Sequence, residues 1–374
     1  MLLKNAVVYR DDFEPASVNL EVNGERITSV DAADAAGEAL DLTGCTVMPG
    51  FMDIHVHGCA GCDMGDGTPE ALHTMSEHLL HKGITSFCPT SMTLGADTLA
   101  RLFANVAGCM GNEPGAYIQG INMEGPFFSE KKKGAQNGAY LKNPDFGAFK
   151  RLYDVSEGLI RIADVAAELP GAVEFTRLAS KLCTVSIAHT DCTYEEASAV
   201  FDAGASHLTH LYNAMPGIHH RKPGPIGAGS EREAVAAELI CDGQHVHPSA
   251  VRMAFRLFPG RICLISDALR CCGMPDGQYT LGGQDVFLKN SVARLADGTI
   301  AGSATNLYDC MRKAVEFGIP KEQAIFSATL VPARELGREA ETGSITPGKL
   351  ADFVICDEAL NRKAVYLSGV LLEP

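Results

Sequence analysis

The residues best suited to chemistry in this chain are histidines and carboxylates that recur where apolar runs end. The run 47–55 closes on His55-Val56-His57, and 117–123 is followed by Glu124. His189 follows 184–188, His210 follows 207–209, Asp242-Gly243-Gln244-His245 follows 236–241, and Asp267 follows 262–266. Imidazole nitrogens and carboxylate oxygens are the ligands that zinc, iron and similar divalent ions take. Alternate residues of a strand face one side, so His55 and His57 can address one centre. Each residue also has a bland reading. A lone His210 is more often a satisfied core or surface group, and Glu124 before Gly125-Pro126 suits a cap or loop acid. Asp267 could likewise cap the next helix. A series of such coincidences is harder to accept than one metal centre, which is the expectation. His73, His78 and His81 lie on a polar helical pattern and stay outside it.

The apolar runs alternate with helical patterns, the rhythm of βα units around a parallel sheet. Eight of them are counted, at 47–55, 84–89, 117–123, 159–163, 184–188, 207–209, 236–241 and 262–266. Eight parallel strands describe a closed (β/α)8 TIM barrel better than an open sheet, and such barrels carry their catalytic groups at the C-terminal strand ends. Both chain ends read differently. Residues 6–9, 18–22 and 26–30 are alternating or β-branched, with Asn23-Gly24 as a hairpin signal, and 352–356, 363–367 and 369–372 share that texture. The predicted organisation is therefore an α/β protein. A small β-sandwich domain is formed from both termini (1–48 and 346–374), and the (β/α)8 barrel that carries the expected metal centre occupies 49–345. Asp-Gly and Gly-Gly turns between Asp276 and Ala301 predict a β-hairpin insertion after the eighth strand.

Composition narrows the partners. Of 374 residues 46% are hydrophobic and 21% charged, as in ordinary globular proteins. The formal net charge of −15 argues against nucleic acid and against an anionic membrane surface, and makes an anionic substrate depend on a locally basic pocket. No apolar stretch approaches the roughly 18 residues that span a bilayer. No signal peptide is visible at Met1-Leu2-Leu3-Lys4-Asn5. Thirteen cysteines, odd in number and mostly within apolar runs, fit a reducing compartment, so a cytoplasmic location is expected. Cys59-Ala60-Gly61-Cys62 lacks a second pair and reads as packing rather than as a metal motif, and the adjacent Cys271-Cys272 reads as thiols.

Several longer motifs carry a resemblance. They are Pro49-Gly50-Phe51-Met52-Asp53-Ile54-His55-Val56-His57-Gly58, Met123-Glu124-Gly125-Pro126-Phe127, His210-Leu211-Tyr212-Asn213-Ala214-Met215-Pro216, His219-His220-Arg221-Lys222-Pro223-Gly224 and Ser266-Asp267-Ala268. Over essentially its full length the chain resembles the amidohydrolase superfamily, and within it the branch that deacetylates amino-sugar phosphates. That resemblance implies hydrolysis of the acetamide of N-acetylglucosamine 6-phosphate. The alternatives are the galactosamine epimer or another amidohydrolase reaction. A barrel that has lost catalysis and serves as a sugar-phosphate sensor is the rival from another class, and the intact ligand and acid/base set disfavours it.

The same resemblance implies roles. Glu124, His189 and His210 match the main metal ligands, and His55 and His57 match a pair that binds a second ion, giving one or two divalent ions per subunit, zinc first and iron as alternative. Such an ion lowers the pKa of its water from about 16 toward 7. Asp267 matches the catalytic acid/base that takes the water's proton and delivers it to the departing amine. Asn213 and Ala214 resemble the turn that cradles the sugar phosphate, and Arg221 resembles a clamping cation on the neighbouring subunit's site, which implies a homodimer. His245 matches a residue contacting the sugar and the reacting group, Ile300, Ala301, Gly302 and Ser303 a segment lining the acetyl end, and Ala135 and Gln136 further substrate contacts. Gln136 stands where the family often has histidine. Glutamine donates to phosphate but adds no charge, which leaves phosphate binding and the C4 epimer open.

Overall fold

The computed structural model describes residues 1–33 and 39–372. Its parallel strands occupy nearly the predicted runs: Phe51–Val56, Ile84–Pro89, Tyr117–Ile118 with Ile121–Met123, Ile160–Val165, Thr184–Ile187, His207–Leu208, Ala236–Ile240 and Ile262–Ile265. They form two parallel sheets. Phe51–Val56, Ile84–Pro89 and Tyr117–Ile118 make one, and the remaining six segments make the other in chain order. Parallel bridges Thr90–Asn122 and Val56–Ala268 join the edges of the two sheets. These strands are buried on both faces, which is why they read as continuous apolar runs rather than alternating ones. The inward side chains Met52, Ile54, Cys88, Ile162, Ile240, Cys263 and Ile265 form one cluster with Val331, Ala333 and Leu336, at and beside helix Leu330–Glu335.

Helices follow most strands and start where the sequence supplies caps. Thr68, Asp145 and Asn306 each accept a backbone N–H at a helix start, and Thr193 with Glu196 forms a reciprocal capping box. Their apolar faces pack outside the strands in the largest core cluster.

Strands from both chain ends share a single mixed sheet, ordered 370–372, 362–367, 353–356, 46–49, 2–9, 15–23, 26–30, with Ala39–Asp41 also on Leu2–Tyr9. Leu3, Val8, Leu20, Val47, Phe353 and Tyr366 form its core. The Gly24-Glu25 turn, with Gly24 at φ 58°, closes the predicted hairpin. Two expectations change. The run 47–55 is not one strand: Thr46–Pro49 belongs to the terminal sheet, and a new strand begins at Phe51. The insertion is three antiparallel strands, Gly277–Leu281, Gln284–Lys289 and Val292–Leu295, rather than a hairpin.

Gly50 is the point at which the chain changes sheets. Its N–H donates to the Asp352 carbonyl in the terminal sheet, while a Cβ there would fall inside the side chain of Thr85, which is 1% exposed. Thr85 sits within a buried strand and cannot withdraw. Gly50→Ala should therefore destabilise the fold by about 1–3 kcal/mol, as overpacked cores do. The shift of the denaturant midpoint at unchanged slope measures this, and an unshifted midpoint would show that the junction has slack.

Candidate metal centre and active site

The predicted ligands stand at or just beyond the ends of parallel strands, and the structure brings them together. His55 is the penultimate residue of Phe51–Val56 and His57 follows it; Glu124 follows Ile121–Met123; His189, His210 and Asp267 lie two residues beyond Thr184–Ile187, His207–Leu208 and Ile262–Ile265. These last three have positive φ, at 43°, 31° and 49°. A non-glycine residue held there costs on the order of 1–3 kcal/mol and persists where its surroundings over-determine it.

Glu124 is the hub. Its Oε1 lies 3.0 Å from His189 Nε2 and 3.1 Å from His210 Nε2, and those two nitrogens are 3.1 Å apart. On its other side, Oε2 is 3.4 Å from His57 Nε2. His55 Nε2 faces Oε1 at 3.8 Å and Asp267 Oδ1 at 3.7 Å, while His57 Nε2 is 3.3 Å from Asp267 Oδ1. Glu124 is thus common to two ligand groups, one with His189 and His210 and one with His55 and His57.

The proton positions show what this arrangement is for. His189 Nδ1 donates to the Lys132 carbonyl at 2.8 Å and His57 Nδ1 to the Thr90 carbonyl at 3.2 Å. A carbonyl can only accept, so in the neutral rings the far nitrogens, both Nε2, carry lone pairs. His55 Nδ1 meets the Glu238 carboxylate at 3.0 Å with the same result. Lone pairs and carboxylate oxygens therefore point at one another in a buried space, and His55 Nε2 has no hydrogen-bond partner. A cation resolves that conflict. Tetrahedral zinc ligands at about 2.0–2.1 Å stand roughly 3.4 Å apart, close to the edges seen around Glu124 Oε1, and nitrogen with oxygen donors suits zinc or iron. The residues fit a divalent ion.

The electrostatics agree. Burial alone would push the Glu124 carboxyl up, yet the imidazoles around it, His189 and His210 in contact and His55 and His57 nearby, hold it well below the ordinary carboxylate range wherever they carry protons toward it. Burial would lower the His55 imidazole, but Glu238, Asp267 and Glu124 carry it well above its usual value. His57 is raised against burial by its hydrogen bond to Asp267 and by Glu124, and Asp267 is lowered against burial by His57 and His55.

These groups open on a cavity of 430 Å³. Of the predicted substrate contacts, Ala135, Gln136, Asn213, Ala214, His245, Ile300 and Gly302 line it, with Lys131, Lys132, Met92, Leu269, Leu281 and Thr299. Leu281 comes from the three-stranded insertion, which roofs the cavity. Other placements differ from expectation. Gln136 is 3% exposed and fully engaged: it donates to Glu124 Oε2 at 2.5 Å and accepts from the Thr93 N–H at 2.7 Å, so its amide holds a ligand rather than reaching free into the cavity. Ala301 packs in a core cluster. Ser303 braces Asp267, its N–H donating to the Asp267 carbonyl and its hydroxyl to the Ser266 carbonyl. Gly302 is required between them, since a Cβ there would stand 2.8 Å from the Asp267 carbonyl. Arg221 is exposed and outside this chain's cavity.

Sequence reasoning missed the groups behind the ligands. Asp242 Oδ2 lies 2.7 Å from His245 Nδ1 and aims the ring. Glu238, fully buried, holds both the His55 ring and the His210 N–H. His207, pushed up to about 10 against burial by Glu238 and Glu335, stands behind it. An acid inside the apolar run 236–241 was the available signal. Cys59 and Cys62 pair across a two-residue hairpin as free thiols, in keeping with a packing role.

The comparison with known proteins decides the lineage. The Amidohydrolase family model matches residues 46–372. The chain belongs to the amidohydrolase family. Among its relatives, an N-acetylgalactosamine-6-phosphate deacetylase of Escherichia coli is 37% identical over 326 residues, covering 86% of each chain. An N-acetylglucosamine-6-phosphate deacetylase of Vibrio furnissii is 35% identical over 364 residues, covering 96% of this chain and 91% of the relative. A mutant N-acetyl-D-glucosamine-6-phosphate deacetylase of Mycobacterium smegmatis, solved in complex with N-acetyl-D-glucosamine-6-phosphate, superposes at TM-score 0.94 with 33% identity, covering 100% of this chain and 99% of that one. For this amidohydrolase, Glu124→Gln should weaken binding at the His189/His210 position by more than the roughly 10–100-fold that loss of an outer partner costs. Ion content after equilibration with buffered Zn²⁺ checks this, and undiminished content would remove Glu124 as a ligand.

Proposed function

We propose that this chain hydrolyses the acetamide of N-acetylglucosamine 6-phosphate, releasing acetate and glucosamine 6-phosphate. The observation that carries the reading is the convergence of Glu124, His189, His210, His55 and His57 with Asp267 on one cavity. Kinship with deacetylases of that substrate supports it. Glu124, His189 and His210 would hold one divalent ion, and His55 and His57 with Glu124 a second, zinc before iron. The ion supplies Lewis acidity at the carbonyl and lowers the pKa of water. Asp267 accepts the attacking water's proton and returns it to the departing nitrogen, a transfer without which an amine leaves poorly. His245, held by Asp242, addresses the sugar and the acetamide. Asn213, Ala214, Ala135 and the Ile300–Gly302 turn shape the pocket, with Lys131 and Lys132 as this chain's cations for the phosphate.

The fold reading goes with this. The two parallel sheets close into one (β/α)8 barrel, supported by the edge bridges and by an inner cluster drawn from both sheets. The barrel would occupy 49–345, and 1–48 with 346–374 a small sandwich; residues 34–38 and 373–374 of that range lie outside the described residues. Thirteen free cysteines favour the cytoplasm. Among the described residues no helix is long and apolar enough to cross a membrane. The exposed loop at His219–Lys222 suits a homodimer in which Arg221 reaches the neighbouring cavity. The galactosamine epimer is the second reading, favoured by the 37% identical relative.

Acetate release from both epimers, with and without the 6-phosphate, decides the substrate. Turnover should require the phosphate and should fall by at least about 100-fold in Asp267→Asn, at the low end of a general acid/base contribution. Substrate binding should survive that change. Wild-type turnover in Asp267→Asn would remove it from the mechanism. Arg221→Ala should raise KM by about 10–100-fold, the loss of a charge-assisted hydrogen bond. Mixing it with Asp267→Asn should restore activity above either variant alone. Absence of that restoration in a proven dimer would place Arg221 outside the site.

A further inference from the structure

We infer that Glu238, backed by His207 and Glu335, is a positioning group that sets how tightly the His55/His57 position holds a cation. The inference rests on the ligand reading above and goes beyond it. A row of ionisable side chains runs from the half-buried Glu335 through the buried His207 and Glu238. Glu335, the last residue of helix Leu330–Glu335, contacts His207 Nδ1 at 2.7 Å, and His207 Nε2 lies 3.5 Å from Glu238 Oε1. Glu238 Oε2 then meets His55 Nδ1 at 3.0 Å. His207 and Glu238 are 0% exposed. The row starts at a separate cavity of 370 Å³, which Glu335 lines with Arg161, Lys181 and Thr184. It ends at a nitrogen that faces the metal centre.

None of these three residues touches the reaction cavity, so hydrolysis itself gives them no task. Burying an acid within an apolar strand is costly unless its partners compensate. What Glu238 accomplishes is specific to His55. A carboxylate keeps the ring proton on Nδ1 and makes the ring a stronger donor through Nε2. His57 and His189 have neutral carbonyls in the same place. Among the described residues, His55 is the ligand-group histidine whose outer nitrogen meets a carboxylate. Glu238 Oε2 also accepts the His210 N–H at 3.1 Å, so one acid ties both ligand groups to a common frame. His207 stands at ion-pair distance behind Glu238, and Glu335 holds the far side of the His207 ring.

The test is a count of ions bound by metal-stripped protein equilibrated over a series of chelator-buffered Zn²⁺ concentrations. Wild type should load in two steps, and His55→Ala should delete one, which identifies it. Glu238→Gln should move that same step to about 10–100-fold higher free Zn²⁺ and leave the other in place. Glutamine still accepts the His210 N–H through its carbonyl, so the backbone at His210 keeps its support. Glu335→Gln, at the margin of the fold, should move the step in the same direction by less, and it stands in should Glu238→Gln not fold. If His55→Ala deletes a step while the glutamine variants load like wild type, the positioning role is overturned and the ligand reading survives. If His55→Ala leaves loading unchanged, the ligand reading of the His55/His57 pair fails, and this inference falls with it.

Discussion

The structure turns on a buried carboxylate surrounded by nitrogen lone pairs. Glu124 is 2% exposed and has four imidazoles around it, three of which have their outer nitrogens tied to acceptors. With those ring protons pointing outward, the inner nitrogens and the carboxylate oxygens repel unless positive charge lies between them. Protons can supply that charge, which is why His55, His57 and His210 are drawn above the usual imidazole range while Glu124 is held below that of a carboxylate. A divalent ion supplies it better, because it satisfies several donors at once and releases the protons they would otherwise hold.

Holding such a site together requires a scaffold that does not yield. Six residues from five strand ends must meet within a few ångströms, and three of them adopt left-handed backbone to do so. The strain at His189, His210 and Asp267 is balanced nearby. Glu238 grips the His210 N–H, the Ser129 N–H donates to the His189 carbonyl, and the Asp267 carbonyl is bonded by Ser303. Gly302 permits that last contact by having no side chain. A short, fully buried parallel strand ending in a constrained residue is thus the repeated device, and it explains why chemistry falls where apolar runs stop.

That device is also what made the site legible in sequence. A fully buried parallel strand cannot hide its apolar character, and the polar residue ending it is conspicuous, so Glu124, His189, His210 and Asp267 could be read directly. Boundaries were less legible. Residues 46–49 and 51–56 are apolar alike because both sheets bury them, and Gly50 between them gave no change of rhythm. Glu238 escaped because an acid inside such a run looks like an interruption rather than a working part. Ala301 and Ser303 share a turn with cavity-lining neighbours, and nothing in composition tells which side chains of a turn face inward.

The segment from Ser129 to Gln136 joins the two ends of the cavity. Lys131 and Lys132 line it and bring positive charge to the cavity of a chain of net charge −15, while Asp191 holds both ammonium groups at 3.2 and 4.0 Å. The same segment supplies the Lys132 carbonyl to His189 and the Gln136 amide to Glu124. Gln136 is committed at both ends of its amide, to Glu124 Oε2 and to the Thr93 N–H. The segment that lines the cavity and the segment that braces the ligand cluster are thus one loop, and the geometry of each constrains the other.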